Sequence, residues 1–144
     1  MPQRLRTTLT LDHRLRWLAV WTVVGWLLLG SIVVFSLTPN FPLKLMRQYD
    51  KVVHMLAYGG VMLWFAQLYP QRFARLFWAL AFVGMGIGLE VAQGMSRYRH
   101  FDWWDAGATA VGVSLACALS FTRCGSILLE LESRILPVHA SPRA

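Results

Sequence analysis

From Trp17 to Leu37 the chain carries no charged side chain. A helix of about 20 apolar residues spans the roughly 30 Å hydrocarbon core of a bilayer, so this run fits a membrane crossing better than the core of a small soluble domain. Arg14 and Arg16 precede it and Thr38-Pro39 follows. A signal peptide has an apolar region of about 7 to 15 residues and then a small-residue cleavage site. Here the run is longer and leads into Leu37-Thr38-Pro39-Asn40, which predicts a retained helix.

Three further stretches follow the same pattern. Val52 to Tyr69 holds one ionisable group besides tyrosine, His54, and ends at Pro70, which cannot extend a helical hydrogen-bond ladder. Phe73 to Gln93 is interrupted only by Arg75 and Glu90, and Trp103 to Phe121 begins at Asp102 and Asp105 and is then rich in Ala, Gly and Ser. Charged residues make up 15% of the 144-residue chain, against roughly 25% in soluble proteins, which leaves many helix faces without solvating groups. The net charge of +7 is not gathered on one polar face, as nucleic-acid binding would require, but lies between the apolar runs as membrane-surface anchors. The expected fold is all-α, an integral membrane four-helix bundle. Residues 1–16 form a basic cytoplasmic segment, 17–122 the transmembrane domain and 123–144 a cytoplasmic amphipathic tail.

With the N-terminus inside, the inner segments carry nine of the Lys and Arg residues and the outer loops five, which favours both termini in the cytoplasm. Asp50, Glu90, Asp102 and Asp105 then share the outer side. Gly84 with Gly88, Ala108 with Gly112 and Ser114 with Ala118 are small residues four apart, which predicts the third and fourth helices as the close pair. Ile127, Leu128, Leu131 and Ile135 share a helical face and predict a short surface helix over 126–136. Cys117 and Cys124, seven apart on what reads as one helix, have neither redox nor zinc spacing.

Three polar clusters fall at the outer level. Asp50 and His54 are i,i+4, Lys51 and His54 are i,i+3, and Tyr58 lies one turn further along the His54 stripe. Glu90 and Gln93 point one way from the third helix, and Arg99, Asp102 and Asp105 are spaced by threes into the fourth. The fifteen residues from Arg75 to Glu90 span roughly 22 Å of helix, less than a bilayer core, which places Glu90 below the interface. A carboxylate there needs Lys51, Arg99 or a metal ion, or it takes up a proton. Trp103 and Trp104 read as belt residues at the headgroup level. The inner side shows no comparable set.

Asp50-Lys51-x-x-His54 with Tyr58, Glu90-x-x-Gln93, and Arg99-x-x-Asp102-x-x-Asp105 with Gly112 together resemble the VanZ-like family of bacterial membrane proteins. The match in order and spacing runs from about Asp50 to Gly112, and the first helix resembles the family only as an apolar span. Where the family commonly has an asparagine four residues after the second aspartate, this chain has Thr109. The resemblance implies a small multi-pass protein of the bacterial inner membrane, with a namesake linked to resistance to the glycopeptide teicoplanin. It supplies no settled reaction.

The leading expectation is recognition of an anionic headgroup of an envelope lipid or lipid-linked cell-wall precursor. Lys51 and Arg99 would bind phosphate or carboxylate, Arg99 through its planar fork, with Tyr58 and Gln93 lining the site. His54 and Glu90 are the candidates for proton transfer, and Asp50 would orient His54. Asp102 and Asp105 are candidate oxygen ligands for Mg or Ca. Binding without catalysis is favoured, since no serine or cysteine nucleophile adjoins the histidine. A proton- or ion-coupled transport component, with a second copy of the chain adding helices, stays open. So does a structural membrane partner without chemistry.

Overall fold

A computed structural model of the protein describes residues 9–38, 49–95 and 102–135. These are helical almost throughout and contain no strand: α1 (Leu18–Leu37), α2 (Asp50–Leu68), α3 (Arg72–Met95), α4 (Trp103–Ser120), a 3-10 turn at Arg123–Ser126, and α5 (Ile127–Ile135). By length and composition α1 and α3 can each cross a membrane, and α4 with the bent segment after it counts as a third candidate.

Local chemistry sets the boundaries. α2 stops at Leu68 because Pro70 lacks an N–H and pushes Tyr69 out of the helical region. α4 starts behind Asp102, whose carboxylate accepts the Trp104 N–H at 2.8 Å as an N-cap. Beyond α4, the Thr122 hydroxyl accepts the Cys124 N–H and the chain bends by 77° toward α5. Cys117 and Cys124 therefore fall on either side of a bend rather than on one helix, and both are free thiols.

The core is organised around α2, whose buried stripe runs through Tyr58, Val61, Met62, Phe65 and Leu68. Phe65 meets Trp26 of α1 at 5.5 Å between ring centroids, and Trp78 and Phe82 of α3 at 4.7 and 5.2 Å. Burying such a ring contributes about 1.5–3 kcal/mol, so this cluster is a main source of cohesion. In α1 only Gly25 is buried. Leu27, Leu80 and Leu115 point outward with 67%, 76% and 56% of their surface exposed. Contiguous apolar faces of this kind are rare on soluble monomers and suit a lipid environment.

The closest backbone approach joins α2 to α4, not α3 to α4 as the small-residue spacing predicts. A methyl group at Gly112 would run into the Met55 carbonyl, and one at Gly59 would lie 3.0 Å from the Gly112 oxygen. Gly84 and Gly88 face open space, and α3 meets α4 instead where Gly86 admits Thr109. A spacing of four marks a face able to admit another helix; it does not say which glycine has something opposite it.

Side-chain contacts define the two ends of the bundle. Gln93 Nε2 donates to the Ser36 carbonyl at the end where His54, Glu90 and Asp105 gather. At the other end the Trp64 indole donates to the Trp21 carbonyl, and Arg75 donates to the carbonyls of Ala66 and Ser120. The four long helices therefore alternate in direction. Arg75 sits where α2 and α4 both finish, a position in which a cation complements two helix dipoles.

That second end contradicts the expectation of no comparable polar set there. Glu132 of α5 is 4% exposed and accepts from Arg16 N (2.7 Å), Trp17 N (2.9 Å) and the Trp21 indole (2.6 Å). Gln67 accepts the Leu128 N–H at 2.7 Å, and the Asp12 N–H donates to the Leu68 carbonyl at 2.7 Å. The expected apolar face of α5 divides accordingly. Leu128 is buried with Leu15 and Leu68, while Ile127, Leu131 and Ile135 form an outward stripe.

Candidate functional site

Each functional side chain occupies a position that the helix period would otherwise assign to an apolar residue. His54 continues the α2 stripe one turn beyond Tyr58. On α3 the buried positions Phe82, Gly86 and Glu90 recur every four residues, followed by Gln93. On α4 Asp105, Thr109, Gly112, Val113 and Ala116 form the buried face. The same periodicity that builds the core thus carries a histidine and two carboxylates into one end of it.

One donor atom from each of His54, Glu90 and Asp105 lies within 4.8 Å of the others. Glu90 and Asp105 are each 2% exposed, and the His54 side chain is 12% exposed. His54 Nε2 stands 3.5 Å from Glu90 Oε1, and the second Glu90 oxygen is 3.5 Å from the Asp102 backbone N–H. Tyr58 stacks on the imidazole with ring planes 9° apart. Thr109, 1% exposed, lies one turn from Asp105 on the same face, and its hydroxyl has no hydrogen-bond partner among the described residues. Two carboxylates buried this close together favour a shared proton or a neighbouring cation over two bare charges.

The remaining expected residues fall around this centre. Lys51 is half exposed and lies 3.8 Å from Asp102 Oδ2 rather than on Glu90. Asp102 caps α4 and so does not continue a helical ridge with Asp105. Asp102 has its oxygens on Trp104 N and toward Lys51, while Asp105 lies with His54 and Glu90. Gln93 is buried and ties α3 to the end of α1 through Ser36. Arg99 and the Asp50 side chain lie outside the described residues. Trp103 and Trp104 are 76% and 74% exposed beside the site, as belt residues would be.

Sequence reasoning singled out Thr109 only as a departure from the family pattern and did not foresee the contact of Gln93 with the Ser36 carbonyl. Thr109 was legible as a polar residue four after Asp105. Ser36 had only the weak signal of a hydroxyl one residue from the end of an apolar span.

The fold and centre define an all-helical protein with two or three helices apolar enough to cross a membrane and a buried His–Glu–Asp cluster at one end. Comparison with family models, curated proteins and solved structures finds no match to the chain.

Proposed function

We propose that the protein is a four-span, VanZ-like protein of the bacterial inner membrane, with both termini cytoplasmic. In this reading it recognises the anionic headgroup of an envelope lipid or lipid-linked cell-wall precursor at the His54–Glu90–Asp105 end. The observation that carries the proposal is the convergence of three chain segments, distant in sequence, on one polar centre in an otherwise apolar bundle. The same three segments carry the VanZ-like resemblance. Lys51 stands at the rim, and with Arg99 it would supply cationic contacts for phosphate or carboxylate. The exposed tryptophans beside it hold the rim at headgroup depth.

Binding is favoured over catalysis and over transport. Both free thiols lie toward the other end of the bundle, so neither serves as a nucleophile beside His54. Between the ends the interior among the described residues is Met62, Phe65, Phe82 and Val113, all nearly inaccessible, and these offer a proton or ion no polar path. The test is teicoplanin susceptibility of cells expressing the chain. Protection by the wild-type protein should disappear with Glu90→Gln and with His54→Ala while each variant still accumulates in the membrane. Protection unchanged in both variants would refute the proposal, and loss of the folded protein in both would assign these residues a structural role instead.

A further inference from the structure

We infer that His54, Glu90 and Asp105 form a binding site for one divalent first-row transition ion of the zinc type. The ion would be held by an imidazole nitrogen and two carboxylate oxygens, with at least one coordination position left open.

Three features of the geometry point to this. Two atoms each about 2.1 Å from a zinc ion at the tetrahedral angle are about 3.4 Å apart. His54 Nε2 and Glu90 Oε1 are separated by 3.5 Å, longer than a charge-assisted hydrogen bond and close to that ligand-to-ligand span. The third donor, from Asp105, falls within the same 4.8 Å group, and each ligand comes from a different helix, so closure of the bundle itself assembles the set. Second, the ligands are oriented from behind: Tyr58 stacks on the His54 ring, and the Asp102 N–H faces the other oxygen of Glu90. Metal sites depend on such outer partners to fix ligand direction. Third, the Thr109 hydroxyl, one turn along α4 from Asp105, is buried and has no hydrogen-bond partner among the described residues.

The donor set selects the metal. An imidazole nitrogen with two carboxylates suits zinc and its neighbours, whereas Mg and Ca prefer all-oxygen shells. Three protein ligands are the number found in zinc sites that keep a position for an exchangeable ligand. That open position also resolves a difficulty in the headgroup reading, on which this last step rests. Two carboxylates repel an anionic headgroup, but an ion held between them can take one of its phosphate oxygens.

The experiment uses the full chain in detergent, stripped with a chelator and titrated with Co2+, whose visible absorption reports coordination. Wild-type protein should bind one equivalent with ligand-field bands that Zn2+ abolishes. His54→Ala, Glu90→Gln and Asp105→Asn should each weaken binding by about 100-fold or more, beyond the loss expected for an outer-shell partner. Asp102→Asn, which keeps a good N-cap, should bind as wild type. Circular dichroism on every variant establishes that the helices are intact. Absence of a ligand-field band in folded wild-type protein, or equal binding by the His54→Ala variant, would overturn the site. Inorganic phosphate should then shift the Co2+ spectrum. A bound ion indifferent to phosphate contradicts the headgroup step alone, and headgroup labelling without bound metal overturns the ion while leaving headgroup recognition in place.

Discussion

Glu132 shows how one side chain can organise an end of the molecule. Burial pushes its carboxyl upward, but hydrogen bonds from the Trp17 and Arg16 backbone and the Trp21 indole outweigh that, and the net shift is below the ordinary 4.5. Its stabilising effect is therefore complete above the ordinary value and is lost as pH falls through the lowered folded value. In detergent, Glu132→Gln should lower the thermal midpoint at neutral pH and flatten the fall in stability expected of wild type as the pH drops below about 4.5. Parallel acid limbs in both proteins would contradict the assignment. Glu132→Ala should cost about 2–4 kcal/mol, since three donors lose a charged acceptor. None of this was legible in the sequence, where Glu132 is one of two acids on a short amphipathic segment. Its role depends on Arg16 and Trp17, which lie more than a hundred residues away.

At the scale of the element, the helix bounds were legible almost to the residue, because Pro70, Asp102 and the uncharged runs act locally. Helix pairing was not. Gly84-x-x-x-Gly88 and Ala108-x-x-x-Gly112 are equally good small-residue faces in sequence, yet only Gly112 has a backbone carbonyl pressed against it. Gly112→Ala should thus separate α2 from α4 and destabilise the bundle by about 1–3 kcal/mol or more. Gly84→Ala and Gly88→Ala should be neutral or gain up to about 1 kcal/mol from helix propensity. Thermal unfolding of the three variants in one detergent measures this. Equal losses at all three positions would mean that α3, not α2, is the close neighbour of α4. The site followed the same division. Glu90 and His54 stood out by spacing within one helix, whereas the choice of Asp105 over Asp102 depended on where α4 begins.

Across the whole molecule, four alternating helices place a histidine and two carboxylates at one end, an arginine and a glutamate at the other, and an aromatic and aliphatic middle between them. The outward surfaces of α1 and α3 are apolar along their length, and the α5 stripe of Ile127, Leu131 and Ile135 continues that surface around the Glu132 end. Such a body suits a membrane protein with two chemically different ends, and the proposed function assigns the anionic headgroup to the His54–Glu90–Asp105 end. The most direct test is photolabelling in membranes with phosphatidylglycerol and a polyprenyl phosphate, each carrying a diazirine at the headgroup. Label should concentrate on peptides from the start of α2, the end of α3 and the start of α4, and should fall with Glu90→Gln. Label spread evenly around the bundle, or gathered at the Glu132 end, would contradict that placement.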